Sequence, residues 1–243
     1  MEPNFTRITP GMFNQLSSDL ENYPDGIVIP LDKPYRWTSA DAVRKIKFKL
    51  QRLFGKRNLK VGHAGTLDPL ATGLLLICIG KATKQAQYLQ DQRKEYIAEI
   101  RFGATTPSYD LEKEIDATYP WEHISRALIE DTLPQFLGQQ DQVPPIFSAK
   151  LVDGVRAYEY ARQGEVVEMK PASIHLYELE ILDYQAPVLT LRIQCSKGTY
   201  IRSIARDLGI ALNSGGHLVG LRRTQSGSFS IENAVSMEEI LNS

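Results

Sequence analysis

Apolar and polar positions change period several times along the chain, and each change predicts an element. In TSADAVRKIKFKLQRLFG, Val43, Ile46, Leu50, Leu53 and Phe54 recur at helical spacing, which predicts one helix with a single buried stripe. Thr38 with Asp41 predicts a capping box at its start, and Gly55 marks its end. Elsewhere the period falls to two, or a short apolar run is continuous. GIVIPLDKP, GLLLICIG, EYIAEIRFG, IHLYELEILDY, VLTLRIQCSKG and GSFSIENAV are therefore predicted strands. In VLTLRIQC, Leu189, Leu191, Ile193 and Cys195 face one way and Thr190, Arg192 and Gln194 the other, the pattern of an antiparallel sheet wet on one side. Further helices are predicted over His123 to Leu137, Ile201 to Leu212 and Met237 to Leu241. Strands and helices do not alternate regularly, so the expected fold is α+β: a mixed, mainly antiparallel central sheet with flanking helices and loops.

The stretch from about 138 to 170 breaks this pattern with paired prolines, several tyrosines and a basic, mostly polar sequence, and is expected to leave the sheet as a binding excursion. No linker-like stretch divides the 243 residues, so a single domain over 1–243 is expected. A charged fraction of 23% and a hydrophobic fraction of 42% exclude disorder and coiled coil. The longest apolar run, Leu74 to Ile79, falls far short of the ~20 residues that span a bilayer, and MEPNFTRITPG has no apolar signal core, which predicts a cytoplasmic protein without membrane contact. Cys78 and Cys195 sit in apolar strands and are expected as buried, reduced thiols.

Charge changes the picture by its distribution. The formal net charge is -1, yet Arg44 to Lys60 carries eight Lys/Arg and no acid, with Lys45, Lys49 and Arg52 on the outer face of the predicted helix. One face of a neutral molecule is thus basic enough to meet phosphates.

Three windows carry candidate chemistry. In GHAGTLDPLATG, Asp68 lies between glycines that allow positive φ and Pro69, which fixes a turn. It is either a turn former or a carboxylate that the turn presents at the mouth of an apolar strand. In CSKGTYIRSIARDLG, Arg202 sits in the first turn of a helix, where the dipole disfavours a cation, so a carboxylate such as Asp68 or an exposed position must account for it. In RKEYIAEIRFG, Tyr96 alternates onto the same face as Ala98, Ile100 and Phe102, as core packing or as the wall of a cleft. No His/Cys/Asp spacing suits a metal, and no phosphate-binding loop or Ser/His/Asp set stands out.

Together these windows resemble the tRNA pseudouridine-55 synthase family, the TruB branch of the pseudouridine synthases. The resemblance rests on PLDKPYRWTSADAV, KVGHAGTLDPLATGLLLICIGKATK, KEYIAEIRFGATTPSYD, QVPPIFSAKLVDGVRAYEYARQG, CSKGTYIRSIARDLG and LVGLRRTQSGSF, in family order from Gly26 to Phe229. It implies that Asp68 is the catalytic aspartate, Tyr96 the tyrosine stacked on the target uracil, and Arg202 the arginine paired with the carboxylate. By the same resemblance His63 helps hold the RNA loop, Tyr200 is a pocket tyrosine, and Leu221 an apolar pocket residue. The implied substrate is the TΨC stem-loop of tRNA, turned over by a monomer with no cofactor, no metal and no protein partner. Lys45, Lys49 and Arg52, with Arg222 and Arg223 near the pocket, are expected to meet the RNA backbone. Two departures stand out. DKPYRWTS has Arg36 where the family usually has Gly, and the chain runs about fourteen residues past Phe229, where many members continue into a small RNA-binding domain; no separate C-terminal domain is expected.

Overall fold

The computed structural model describes residues 3–165 and 167–242. The main strands are β1 (Ile27–Lys33), β2 (Val61–Ala64), β3 (Thr72–Ile79), β4 (Lys94–Phe102), β5 (Gly138–Gln142), β6 (Ala172–Gln185), β7 (Val188–Cys195) and β8 (Gly216–Ser226). The helices are α1 (Ser39–Leu53), α2 (Ala86–Asp91), α3 (Arg126–Thr132), α4 (Ala157–Gln163), α5 (Ile201–Ala211) and α6 (Met237–Asn242). They pack as two compact units, one formed by residues up to Glu95 together with those from Arg222 onward, the other by Tyr96–Leu221.

In the first unit β3 pairs antiparallel with β1 on one side and β2 on the other. The second half of β8 joins β3 in parallel, with Arg222 opposite Thr72 and Arg223 opposite Gly73. Every residue of β3 from Gly73 to Ile79 is buried, the outcome of its continuous apolar run. Helix α1 begins where its sequence says it should: the Thr38 hydroxyl accepts from the Asp41 amide while the Asp41 carboxylate accepts from the Thr38 amide. Ala42, Ile46 and Leu50 bury its inner stripe.

In the second unit the sheet order is β8, β4, β7, β6, β5, with β6 antiparallel to both its neighbours. Leu189, Leu191, Ile193 and Cys195 are buried and the residues between them half-exposed, as the alternation requires. Tyr96, Ala98, Ile100 and Phe102 likewise bury one face of β4. Both cysteines are buried thiols, and burial pushes Cys78 up to about 12.

Three strand expectations need correction. Gly138–Gln142 belongs to the sheet, pairing with Ala172–Leu176, so the excursion begins after Gln142. GSFSIENAV is two short strand pieces, Phe229–Ser230 and Val235–Ser236, divided by a 3-10 turn over Ile231–Asn233. Strands β2 and β8 went unread, because β2 is only the four residues VGHA and β8 carries Arg222, Arg223, Thr224 and Gln225 in succession. Beyond Gln142 the excursion folds into a hairpin, Leu151–Val152 with Val155–Arg156, and then α4, which Gly164 ends at φ +74°. Val166 in that segment lies outside the described residues. Among the described residues no helix is long and apolar enough to cross a membrane.

Candidate active site

The loop between β2 and β3 is fastened at almost every residue. Asp68 and Ala71 close a turn through the main chain, the Ala71 amide donating to Asp68 O at 3.1 Å, with Pro69 setting the bend. The Ser39 hydroxyl, in the first turn of α1, accepts from the Leu67 amide at 2.9 Å and donates to Leu67 O at 3.1 Å. On the far side of the turn, Pro69 O accepts from the Arg36 amide at 2.9 Å. Asp68 is thus presented by the turn, and the turn holds through its backbone.

Beneath the loop lie two buried cations. Arg223 is 1% exposed; its Nε donates to Leu74 O at 2.7 Å and its Nη2 to Gly65 O at 3.0 Å. Lys33 is 0% exposed, its ammonium donating to Trp37 O at 2.6 Å, Pro34 O at 3.0 Å and Pro69 O at 3.4 Å. Burial lowers the Lys33 pKa to about 8, a fall that the nearby Asp68 charge opposes and Arg223 reinforces. The glycines fit this arrangement. Gly73 holds φ +97°, and a Cβ there would meet Arg223 O at 2.3 Å; Gly65, at φ +86°, lies directly over the guanidinium.

His63, on β2, is half-buried, and its Nδ1 has no hydrogen-bond partner among the described residues. Burial, then the Arg223 charge, keeps its pKa below the ordinary histidine value, so the ring is neutral at about pH 7. Arg222 is held by a bidentate pair with Asp32, at 2.7 and 3.2 Å. The sequence reading puts Arg223 among the phosphate contacts; its burial instead makes it a support of the Asp68 loop. Lys49 is half-buried and donates to Leu241 O at 3.2 Å, whereas Lys45 and Arg52 are exposed.

The second unit positions its own residues. Tyr200 is the N-cap of α5, and the buried Gln142 fixes it from both sides, accepting from the Tyr200 amide at 2.8 Å and donating to Tyr200 O at 3.1 Å. Two residues on, Arg202 is 4% exposed. Its Nη1 donates to Ser108 O at 3.2 Å and its Nε lies 3.8 Å from the carboxylate of Asp110. Asp110 is itself anchored by the Ser108 hydroxyl at 2.6 Å and the Glu112 amide at 2.9 Å. A buried carboxylate is thus one reason a cation tolerates the first turn of α5. Tyr96 is buried on β4, and Leu221 is half-buried on β8. Sequence reasoning missed Lys33, Ser39, Asp110 and Gln142. All four lie in stretches that carry the resemblance, Lys33 and Ser39 in PLDKPYRWTSADAV, Asp110 in KEYIAEIRFGATTPSYD and Gln142 at the start of QVPPIFSAKLVDGVRAYEYARQG, which was the available signal. No cluster of three or more His, Cys, Asp or Glu among the described residues could hold a metal ion.

Residues 51–201 match the family model described as TruB family pseudouridylate synthase (N terminal domain), and residues 202–243 match the tRNA pseudouridylate synthase B C-terminal domain. The chain belongs to the TruB family of pseudouridylate synthases. The tRNA pseudouridine synthase B of Phocaeicola vulgatus is 54% identical over 89% of this chain and 92% of its own. The protein of the same name from Flavobacterium johnsoniae is 54% identical over 89% of this chain and 95% of its own. Among solved structures, a chain of a Cbf5-Nop10-Gar1 complex is similar at TM-score 0.66 and 30% identity, over 88% of this chain. This TruB-family chain spans about half of that protein's length, 53%. The part matched by the C-terminal model holds α5, β8 and α6, divided between the two units.

Proposed function

We propose that the protein isomerises uridine 55 in the TΨC loop of tRNA to pseudouridine, as a stand-alone enzyme. The observation that carries this reading is Asp68 at the apex of a loop clamped by Lys33, Ser39 and Arg223, in a chain of the TruB family. Relatives that are 54% identical over 89% of the chain and carry the name tRNA pseudouridine synthase B support tRNA as the substrate.

The reaction breaks the C1'-N1 bond, turns the uracil, and rejoins it through C5. Product and substrate are isomers, so the stoichiometry requires no redox partner or group donor. The base must leave the stack of the loop for a protein group to reach it. Asp68 acts as nucleophile or base at the ribose or the uracil ring; attack at C1', attack at C6 and deprotonation at C2' all demand a positioned carboxylate. Arg202 is the cation that keeps it ionised. Tyr96 supplies a flat surface for the extruded uracil. His63 helps hold the RNA loop, Tyr200 and Leu221 serve as pocket residues, and the exposed cations of α1 meet phosphates.

The test is incubation with an unmodified tRNA transcript followed by mapping of pseudouridine nucleotide by nucleotide. Conversion confined to uridine 55 is expected, while release of free uracil would make the protein a glycosidase and end this reading. Asp68→Asn is expected to bind the transcript and form no product.

A further inference from the structure

The turn that closes on the Asp68 loop also opens a groove. Arg36, Trp37, Asp41, Arg44, Lys45 and Phe48 line a volume of about 510 Å³ in the first unit. It starts at the turn whose Arg36 amide bonds Pro69 O and runs along the outer face of α1. Three features set it apart from ordinary surface. Phe48 is 54% exposed in the middle of a basic helix, with the Arg52 guanidinium 4.2 Å from its ring centroid. Asp41 is the one acid in the lining, and the capping box and Arg44 already engage it. Arg36, a long cation whose Cβ denies it the freedom of glycine, holds φ +65°, a conformation that costs a non-glycine residue on the order of 1 kcal/mol and concentrates at binding sites.

We propose that this groove is a nucleotide subsite that takes an unpaired nucleotide of the RNA substrate. The base lies against Trp37 and Phe48, and its phosphates meet Arg36, Arg44 and Lys45. Aromatic faces flanked by cations suit single-stranded nucleic acid, whose bases stack and whose backbone is anionic. The volume falls in the range of sites for small ligands, about 300–1,000 Å³. The excess of cations over the single engaged acid selects RNA over a neutral or basic protein segment. The Arg36 amide is bonded to Pro69 O, next to Asp68, so the subsite lies beside the chemistry without taking part in it. This inference rests on the tRNA reading above.

The experiment compares tRNA affinity, turnover and melting temperature for the whole chain and its variants. Phe48→Ala is expected to weaken tRNA binding by about tenfold and to leave kcat at saturation unchanged, with Phe48→Tyr restoring affinity. Arg36→Gly is expected to bind more weakly and yet melt no lower than the parent, because glycine relieves the positive φ; a purely structural role predicts neither the split nor its sign. With Trp121→Phe, Trp37 is the sole tryptophan, and its fluorescence is expected to quench on adding tRNA. If the parent modifies tRNA while both variants bind it with parental affinity and Trp37 does not quench, the subsite is overturned and the function stands. A parent that neither binds nor modifies tRNA overturns both.

Discussion

Lys33 shows how much of the site depends on single residues that sequence patterns do not announce. It ends a strand as part of DKP, where a lysine ordinarily reaches water, yet its ammonium is buried on three carbonyls. Its pKa of about 8 lies below the 10.5 of an exposed lysine, so between those values the folded chain binds fewer protons than the unfolded one. The penalty of burying this charge is therefore present in full below about pH 8 and relieved as pH rises towards 10.5. The same deprotonation removes a positive charge from beside Asp68. Turnover is expected to decline with a midpoint near pH 8, and Lys33→Met is expected to lack that limb; an unchanged pH profile in the variant would separate Lys33 from the carboxylate. The turn that carries Asp68 was legible in the sequence, since glycines and Pro69 surround it, but local pattern left its carboxylate as either a turn former or a presented group, and only the family resemblance singled it out. Its supports were not legible, because Arg223 lies 155 positions away and looks like a surface residue in LRRT. Arg202 is the parallel case: its partner Asp110 is far away in sequence, and no local spacing links them.

At the scale of elements, α1 was readable to within a residue because its stripe, capping box and terminal glycine agree. Thr38→Ala is expected to destabilise the fold by about 1 kcal/mol, measured by denaturant unfolding. Strands β5 and β8 were unreadable because neither shows apolar alternation: β5 is the polar edge strand GQQDQ, held by its pairing with β6, and β8 is held by pairing and by the buried Arg223. Gly73 marks where β3 and β8 touch. Gly73→Ala is expected to cost roughly 3 kcal/mol, since it combines an unfavourable φ with a backbone collision, and to lower the melting temperature accordingly. The exposed side of α1 predicts a binding signature. Replacing Lys45, Lys49 and Arg52 together by Gln should lower the salt slope of tRNA binding by about 2, with Lys49 contributing least because Leu241 O already occupies it. An unaltered slope would place the RNA on another face.

For the molecule as a whole, the net charge of -1 would have argued against nucleic acid had it been spread evenly. Eight cations without an acid from Arg44 to Lys60 make the average uninformative. The mainly antiparallel sheet with flanking helices followed from the irregular order of elements, but its division did not, because both crossings fall inside strands and not in linkers. Strand β4 passes the boundary at Glu95 and Tyr96, and β8 passes it at Leu221 and Arg222. The first unit is therefore interrupted, with the whole second unit inserted in its sequence. During synthesis the inserted residues can collapse on contacts of their own, while the earlier segment pairs β1, β2 and β3 but lacks Arg222 and Arg223 until more than a hundred residues later. A chain halted at Leu221 is expected to show slow amide exchange in β6 and β7 and fast exchange at the Thr72–Gly73 end of β3, where β8 would join it. Every amino acid of the Asp68 loop would then be present, but Arg223, which seats it, would still be unmade. The seat of the Asp68 loop is thus completed late in synthesis, and the loop is made long before the guanidinium that holds it.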